Sequence, residues 1–193
     1  MAKYRILTLD GGGIRGLLTA IMLGKIEAAA PGFLGKVDLI AGTSTGGILA
    51  LGLAAGRTPE QLKNLYLKKG KKIFDDSWID NIVDLGNLIG AKYSLDNLEA
   101  AAKQELGNLR LKDLKKNVLL CAFDLDNKDG KTGPNDPDPA RLRQWKPKFF
   151  HNFKGTDEKD HDLLAYKVCL YTSAAPTYFP SADGYIDGGV VAS

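Results

Sequence analysis

A serine held between two glycines is the first feature of this sequence that could do chemistry. The stretch Gly42-Thr43-Ser44-Thr45-Gly46 follows a short apolar run over residues 37–41, which is typical of a strand. In a G-x-S-x-G elbow the flanking glycines relieve crowding around a strained backbone, and the serine hydroxyl projects from the turn. The spacing therefore predicts Ser44 as a nucleophile, with Gly42 and Gly46 as the small residues that let the turn form.

A glycine cluster after the first strand is the second candidate element. The strand-like residues 4–9 lead into Asp10-Gly11-Gly12-Gly13-Ile14-Arg15-Gly16, a match to G-x-G-x-x-G. The common meaning of that pattern is a dinucleotide phosphate loop, which expects an acidic residue at the end of the second strand. Here the second strand ends in Ala41 and Gly42 and delivers a serine.

Consecutive glycines have another use that fits this arrangement better. They let bare backbone N–H groups approach a ligand, and the helix that follows adds the positive end of its dipole. Such donors can hold the oxyanion that forms when a nucleophile attacks a carbonyl group. We therefore expect Gly11, Gly12 and Gly13 to form an oxyanion hole for Ser44.

The proton acceptor for Ser44 is predicted from the end of the chain. An ordinary hydrolase of this kind places a histidine after the acid, but no histidine follows His161. The late motif is instead Tyr185-Ile186-Asp187-Gly188-Gly189, with an aspartate at the end of a short strand. Because desolvation raises the pKa of a buried carboxyl group and makes it a more useful base, we predict a Ser44–Asp187 pair without His151 or His161.

The elements that must position these residues alternate along the chain. Leu17, Leu18, Ile21 and Met22 recur at helical spacing before Pro31-Gly32, and residues 48–55 are apolar all round, as in a helix buried against a sheet. Residues 118–123 form a continuous apolar run, which is typical of a strand covered on both faces. This alternation predicts an α/β fold in which helices are layered on a sheet.

Further elements are predicted from local signals. Thr58-Pro59-Glu60-Gln61 has the composition of a helix start with a capping box, and Ser94 is expected to open another helix with Leu95, Leu98 and Ala102 on one face. Residues 124–162 are polar and proline-containing, as in a lid or insertion, and Phe149, Phe150 and Phe153 mark a short strand within them. Residues 163–171 fit either a helix or a strand.

Composition excludes several classes of protein. A hydrophobic share of 44% and a charged share of 25% are typical of one soluble globular domain, and no apolar run is long enough to cross a membrane. The N-terminus has no signal-peptide core, which predicts a cytoplasmic protein. A net charge of +3 is too small to imply nucleic acid as a partner.

Three smaller features of the sequence bear on function. Lys68, Lys69, Lys71 and Lys72 fit a solvated helix face or a contact with anionic lipid. Cys121 and Cys169 stand in apolar runs, so we expect buried small hydrophobes and neither a disulfide nor a metal site. The acidic residues 124–130 fail the ligand spacing of a calcium loop, so a surface turn is predicted there.

The three motifs together resemble those of the patatin-like phospholipases. Residues 10–16 are similar to the family's oxyanion motif, residues 42–46 to its nucleophile elbow, and Asp187-Gly188-Gly189 to its aspartate motif. Residues 172–180 also resemble the stretch that precedes that aspartate in the family. The motifs occur in the family's order and span most of the chain.

The resemblance implies a three-layer α/β/α fold with a mainly parallel central sheet, and a Ser44–Asp187 dyad. It implies a phospholipase A or lysophospholipase-type esterase that works through an acyl-enzyme, with no metal and no cofactor. Its partners would be a phospholipid or other acyl-lipid substrate and a peripheral membrane surface. It also implies supporting roles for Arg15, Gly16, Gly188 and Gly189, with Arg15 orienting the loop, meeting a lipid phosphate or simply facing solvent.

Two other classes of function stay open at this point, namely a nucleotide-binding α/β module and a non-catalytic lipid-binding or regulatory domain. Family members usually continue well beyond the aspartate motif, whereas this chain ends at Ser193. We expect residues 1–193 to form one domain, which is either a compact member of the family or one that lacks its C-terminal part.

Overall fold

The computed structural model describes residues 3–73, 95–125, 145–155, 158–176 and 178–192. Within these ranges one sheet is built from β1 (Ile6–Leu9), β2 (Leu39–Thr43), β3 (Asn117–Asp124), β4 (Lys146–His151) and β5 (Tyr185–Asp187). The α-helices are α1 (Gly16–Ala29), α2 (Thr45–Ala54), α3 (Pro59–Ile73), α4 (Asp96–Leu106) and α5 (Ala165–Ser173). Short 3₁₀ turns occupy Gly13–Arg15, Leu34–Lys36, Leu111–Asp113 and Gly188–Val190.

The order of the strands brings the ends of β2 and β5 together on β3. β1, β2 and β3 run parallel in that order, while β4 and β5 both pair antiparallel with β3. β4 occupies one edge of β3 up to Asp124, so β5 must share the other edge with β2. On that edge β2 pairs as far as Cys121, and β5 takes over the pairing at Ala122.

Alternate strand residues bury one face of the sheet beneath the helices. Leu9, Ile40, Leu120 and Phe150 belong to this buried core. α2 and α5 pack directly on the sheet, and α1, α3 and α4 pack against those two helices. Every residue of α2 except Ile48 is buried, which explains its uniformly apolar sequence. Burying a leucine of this kind stabilises the fold by about 1.5–3 kcal/mol.

The opposite face of the sheet is more open at the carboxyl ends of the strands. Thr8, Ala41, Cys121 and Phe149 contribute to a shallow cavity of about 280 Å³ on this side. Phe149 is 47% exposed there, whereas its neighbour Phe150 is fully buried on the helical face. The alternation along β4 therefore separates a packed face from an open one.

The fold class predicted from the sequence is confirmed: the protein is mixed α/β, with a mainly parallel central sheet flanked by helices. The capping box before α3 is also confirmed, since Thr58 N donates to Gln61 Oε1 at 2.9 Å and Gln61 N donates to Thr58 Oγ1 at 3.2 Å. Cys121 and Cys169 are both buried, as expected for small hydrophobic residues.

Several element boundaries are refined by the structure. Residues 163–171, which fitted either pattern, lie largely in α5, and Phe153 falls beyond the end of β4. The helix expected from Ser94 begins at Asp96, and Leu98 and Ala102 are buried on one face. Ser94 itself and most of the rejected calcium loop lie outside the described residues, as do the side chains of Lys71 and Lys72. No helix in the described ranges is long and apolar enough to cross a membrane.

Candidate active site

Ser44 occupies the sharp turn between β2 and α2. Its φ of 56° and ψ of −128° place a residue with a side chain in a backbone region that favours glycine. The turn closes only because its neighbours are small. A Cβ atom on Gly42 would lie 2.4 Å from the carbonyl oxygen of Gly46, and one on Gly46 would lie 2.0 Å from that of Leu9. This local geometry matches the strained elbow predicted from the sequence.

Asp187 reaches Ser44 because both residues are positioned by β3. Thr43, the last residue of β2, lies opposite Cys121, and Asp187 lies opposite Ala122, the next residue of β3. The Ser44 side chain lies beside the Asp187 carboxyl group, close enough to influence its pKa. The structure thus brings together two residues that the sequence placed far apart.

The two glycines after Asp187 are required by close contacts. A Cβ atom on Gly188 would lie 2.3 Å from the carbonyl oxygen of Cys121, so β3 passes too close for any side chain there. The backbone N–H of Gly189 donates to Asp187 Oδ1 at 2.7 Å. This bond fixes the orientation of the carboxylate toward Ser44.

Burial changes the acidity of the Asp187 carboxyl group. The residue is only 5% exposed, and this loss of solvent raises the pKa of Asp187 above its ordinary value. The nearby Ser44 side chain and the hydrogen bond from the Gly189 N–H lower this pKa, but the effect of burial is larger. A carboxylate with a raised pKa is a better proton acceptor, as the sequence interpretation required.

The glycine loop after β1 lies beside Ser44. A Cβ atom on Gly11 would lie 3.0 Å from Ser44 Cβ and 3.8 Å from Ser44 Oγ. Gly12 and Gly13 have φ values of 152° and 56°, which turn the chain sharply before α1. The loop therefore faces a serine, at the place where a dinucleotide-binding site would present an acidic residue.

The remaining residues of the glycine motif hold the loop in place. The backbone N–H of Arg15 donates to the Gly12 carbonyl oxygen at 3.1 Å, while the Arg15 side chain is exposed. Gly16 starts α1 against α3, since a Cβ atom there would lie 2.5 Å from the hydroxyl oxygen of Tyr66. Tyr66 in turn donates to the Thr45 carbonyl oxygen at 3.3 Å, which links α3 to the start of α2.

The two histidines lie toward the other end of β3. His151 pairs with Leu119, three residues before Ala122, which corresponds to about 10 Å along a strand. The carbonyl oxygen of His161 accepts from Lys112 N before β3 begins, and its ring lies 6.2 Å from that of His151. The geometry therefore pairs Ser44 with Asp187 and places both histidines elsewhere.

One residue that contacts Ser44 was not singled out from the sequence. Thr172, near the end of α5, is fully buried, and its Oγ1 accepts from the Ser44 backbone N–H at 2.9 Å. The same hydroxyl donates to the Cys121 carbonyl oxygen at 2.6 Å. The only sequence signal for it was its position in the stretch 172–180 that resembles a family motif.

The family model described as patatin-like phospholipase matches residues 7–193 of this chain. The chain therefore belongs to the patatin-like phospholipase family.

Relatives in several organisms support this assignment. The chain is 34% identical to a cGAMP-activated phospholipase of Pseudomonas aeruginosa, covering 97% of this chain and 53% of that protein. It is 31% identical to Protein teg of Priestia megaterium, covering 100% of this chain and 55% of that protein. It is 30% identical to Patatin-like protein 1 of Oryza sativa subsp. indica, covering 99% of this chain and 49% of that protein. The chain thus spans about half the length of the curated relatives it matches.

Two solved structures share the fold. VipD from Legionella pneumophila superposes with a TM-score of 0.57 at 14% identity, covering 98% of this chain and 46% of that one. The type III effector protein ExoU superposes with a TM-score of 0.51 at 16% identity, covering 91% of this chain and 40% of that one.

Proposed function

We propose that this protein is a serine hydrolase of acyl lipids, an esterase of the phospholipase A or lysophospholipase type. The observation that carries the proposal is the placement of Ser44 and Asp187 side by side where β2 and β5 meet on β3, with the glycine loop next to Ser44. Membership of the patatin-like phospholipase family supports a lipid ester as the substrate, and several relatives are named as phospholipases.

In the first half of the proposed reaction, Ser44 Oγ attacks the carbonyl carbon of the ester while its proton passes to the Asp187 carboxylate. The N–H groups of Gly11, Gly12 and Gly13 donate to the oxyanion of the tetrahedral intermediate. Cleavage of the ester C–O bond releases the alcohol, which takes the proton back from Asp187. The acyl group stays on Ser44 as an ester.

In the second half, a water molecule attacks the acyl-enzyme and Asp187 accepts a proton from it. The same N–H groups stabilise the second oxyanion. As the bond between the acyl carbon and Ser44 Oγ breaks, Asp187 returns this proton to Ser44 Oγ, which releases the fatty acid and restores the serine and the carboxylate. These steps use only groups of the protein and water.

An exposed apolar surface next to the glycine loop suggests where a membrane binds. We define the α1 patch as Ile14, Leu18 and Met22 together with Leu67 of α3, and Leu18, Met22 and Leu67 are each about 60% exposed. α1 and α3 run antiparallel, because Ile14 meets Gly70 while Gly16 meets Tyr66. Ile14, Leu18 and Met22 follow one another at a spacing of four residues, and Leu67 lies one helical turn before Gly70, the residue that Ile14 meets.

The charges around the α1 patch favour an anionic bilayer as the partner. Arg15, Lys25 and Lys68 are exposed next to members of the patch. Apolar residues of such a surface enter the boundary between headgroups and acyl chains, and each nearby cation adds about 1 kcal/mol of attraction to anionic lipid. Bound this way, the protein would hold the loop that begins at Gly11 close to the lipid esters. A cytoplasmic location fits the two free cysteines, since thiols stay reduced there.

Lipid hydrolysis tests the proposed activity. The purified protein is incubated with vesicles of phosphatidylcholine and with micelles of lysophosphatidylcholine, and released fatty acid is measured by mass spectrometry. We expect the wild type to release fatty acid and Ser44→Ala to release none above the uncatalysed background, with unchanged circular dichroism. A folded wild-type protein that binds the lipid without cleaving any acyl ester would instead be a non-catalytic lipid-binding domain.

Vesicle sedimentation tests the proposed membrane surface. We expect the double change Leu18→Ser, Met22→Ser to reduce binding to phosphatidylglycerol vesicles at least tenfold, while melting temperature shows that both helices still pack. The matched control is Trp145→Ser, which removes a residue that is 71% exposed away from α1. Equal loss of binding in the control, or a change of oligomeric state in place of a change of vesicle binding, would contradict the assignment.

A further inference from the structure

We infer that the end of α5 positions both members of the Ser44–Asp187 pair, with Thr172 as the positioning residue of the nucleophile; this inference rests on the proposed function. Thr172 Oγ1 accepts from the Ser44 backbone N–H at 2.9 Å. Two residues further, the Ala174 carbonyl oxygen accepts from the Asp187 backbone N–H at 2.9 Å. One short piece of chain thus holds the nucleophile and its proton acceptor.

The direction of the two Thr172 hydrogen bonds is determined by its partners. The backbone N–H of Ser44 can only donate and the Cys121 carbonyl oxygen can only accept. The hydroxyl proton of Thr172 therefore points to Cys121, and its lone pairs point to Ser44. Cys121 lies opposite Thr43, the last residue of β2. The Thr172 hydroxyl therefore links the end of the β2–β3 pairing to the turn at Ser44.

The elbow needs such a partner for two reasons. The first N–H groups at a helix N-terminus have no acceptor within the helix, and Ser44 caps α2 without a side-chain bond of its own. Its positive φ costs of the order of 1–3 kcal/mol and persists only where the surroundings determine it. The Thr172 hydroxyl satisfies the Ser44 N–H and restrains the strained residue at once.

Packing keeps the Thr172 hydroxyl in place. Thr172 is fully buried, and a Cβ atom on Gly47 would lie 2.7 Å from its methyl carbon. A threonine in a helix has two common rotamers, and the hydrogen bonds to Ser44 and Cys121 select one of them. The methyl group packs on α2, and the oxygen bonds to Ser44.

The hydrogen bond from the Asp187 N–H to the Ala174 carbonyl oxygen means that the end of α5 supports Asp187 as well as Ser44. Asp187 is held by Ala122 of β3 and by Ala174, while Ser44 is held by β2 and by Thr172. A shift of the α5 end would therefore move both Ser44 and Asp187. Misplacement of a reacting group by about 1 Å can cost about 10²-fold in rate.

The test compares Thr172→Val, which keeps the shape but removes the hydroxyl, with Thr172→Ser, which keeps the hydroxyl. The readouts are kcat and KM on a water-soluble ester and the rate constant of labelling by a fluorophosphonate, each normalised to titrated active sites. We expect Thr172→Val to lower kcat and the labelling rate about 10- to 100-fold with KM within about twofold, consistent with the cost of misplacement. Thr172→Ser should stay within about threefold of the wild type.

Ser173→Ala is the matched control on the same helix. Ser173 is buried, and its hydroxyl has no hydrogen-bond partner among the described residues. We expect this variant to keep the wild-type rates. If Thr172→Val does not fold, Thr172→Ala removes the same hydroxyl without adding volume and is expected to show the same loss of rate.

The outcomes separate the inference from the proposed function. Wild-type rates per titrated site in Thr172→Val or Thr172→Ala would overturn the inference, because a purely structural Thr172 changes only the amount of folded protein. A Ser variant slower than the Ala variant would also overturn it. A folded wild type that neither labels at Ser44 nor hydrolyses the ester would overturn the proposed function and, with it, the role of Thr172.

Discussion

Ser44 and Asp187 lie side by side because β3 pairs with two different strands on one edge. The pairing with β2 ends at Cys121, opposite Thr43, and the pairing with β5 begins at the next residue, Ala122. The serine that leaves β2 therefore emerges beside the aspartate that ends β5.

This contact predicts that Asp187, and no histidine, takes the proton from Ser44. Asp187→Asn has nearly the same size but cannot accept the proton, so we expect it to abolish ester hydrolysis. The double change His151→Gln, His161→Gln should keep most of the activity, because both rings lie toward the other end of β3. Matched folded samples are compared by kcat. An active Asp187→Asn protein, together with an inactive histidine variant, would refute the pairing.

The raised pKa of Asp187 predicts how the rate of labelling depends on pH. Only the ionised carboxylate can accept a proton, so the labelling rate should fall as pH decreases through the pKa of Asp187. Because burial raises that pKa, the fall should be centred above the ordinary value for an aspartate. The rate constant of fluorophosphonate labelling is measured across a pH series. A rate that stays constant down to the ordinary aspartate value would contradict this prediction.

The same shift predicts a change in folding stability. A carboxyl group whose pKa is higher in the folded state than in the unfolded state makes folding less favourable as pH rises between those two values. Asp187→Asn has no such titration, so the unfolding free energy of the variant, minus that of the wild type, should increase through this interval. Above the interval the difference should stay constant. Urea unfolding at several pH values measures it, and a difference that decreases with pH would show that the sign is wrong.

The glycine loop predicts a loss of rate without a matching loss of stability. A methyl group added in Gly11→Ala would press on Ser44 Cβ and disturb the nearby N–H donors. Loss of one oxyanion donor typically costs about 10²–10³ in kcat. The control is Gly35→Ala, where an added Cβ has no neighbour within 4 Å. If Gly11→Ala keeps the wild-type kcat, the loop is a structural turn and no oxyanion hole.

Local sequence patterns were enough to predict the strands and helices that carry the first two motifs. β1, α1, β2 and α2 follow from hydrophobic spacing and from the glycines of each turn, because these signals act over a few residues. The capping box of α3 is predicted for the same reason. Residues 163–171 were ambiguous because a short buried segment is apolar on all sides, whether it is a helix or a strand.

Contacts between distant segments could not be read from the sequence. At Ala122 the pairing partner of β3 changes from β2 to β5. This change depends on strand register, which no local pattern encodes. The bond from Ser44 to Thr172 joins residues 128 positions apart, and a threonine in an apolar helix gives no signal of its own. The motifs therefore predicted which residues form the candidate site, and the sheet topology explains how those residues come together.

The capping box predicts a change in stability that leaves the chemistry unaffected. Thr58→Ala removes the acceptor for Gln61 N, and loss of an N-cap side chain costs about 1 kcal/mol of stability. Chemical denaturation should show this loss, while kcat on a soluble ester stays at the wild-type value. A comparable fall in kcat would show that the start of α3 is coupled to the site.

The most direct test of the account is covalent labelling of Ser44. The protein is treated with a fluorophosphonate, its intact mass is measured, and the modified peptide is sequenced by tandem mass spectrometry. The account predicts one adduct per chain on Ser44 in the wild type, and no adduct in Ser44→Ala. A folded wild type that gains no adduct, or an adduct on another residue that persists in Ser44→Ala, would contradict it.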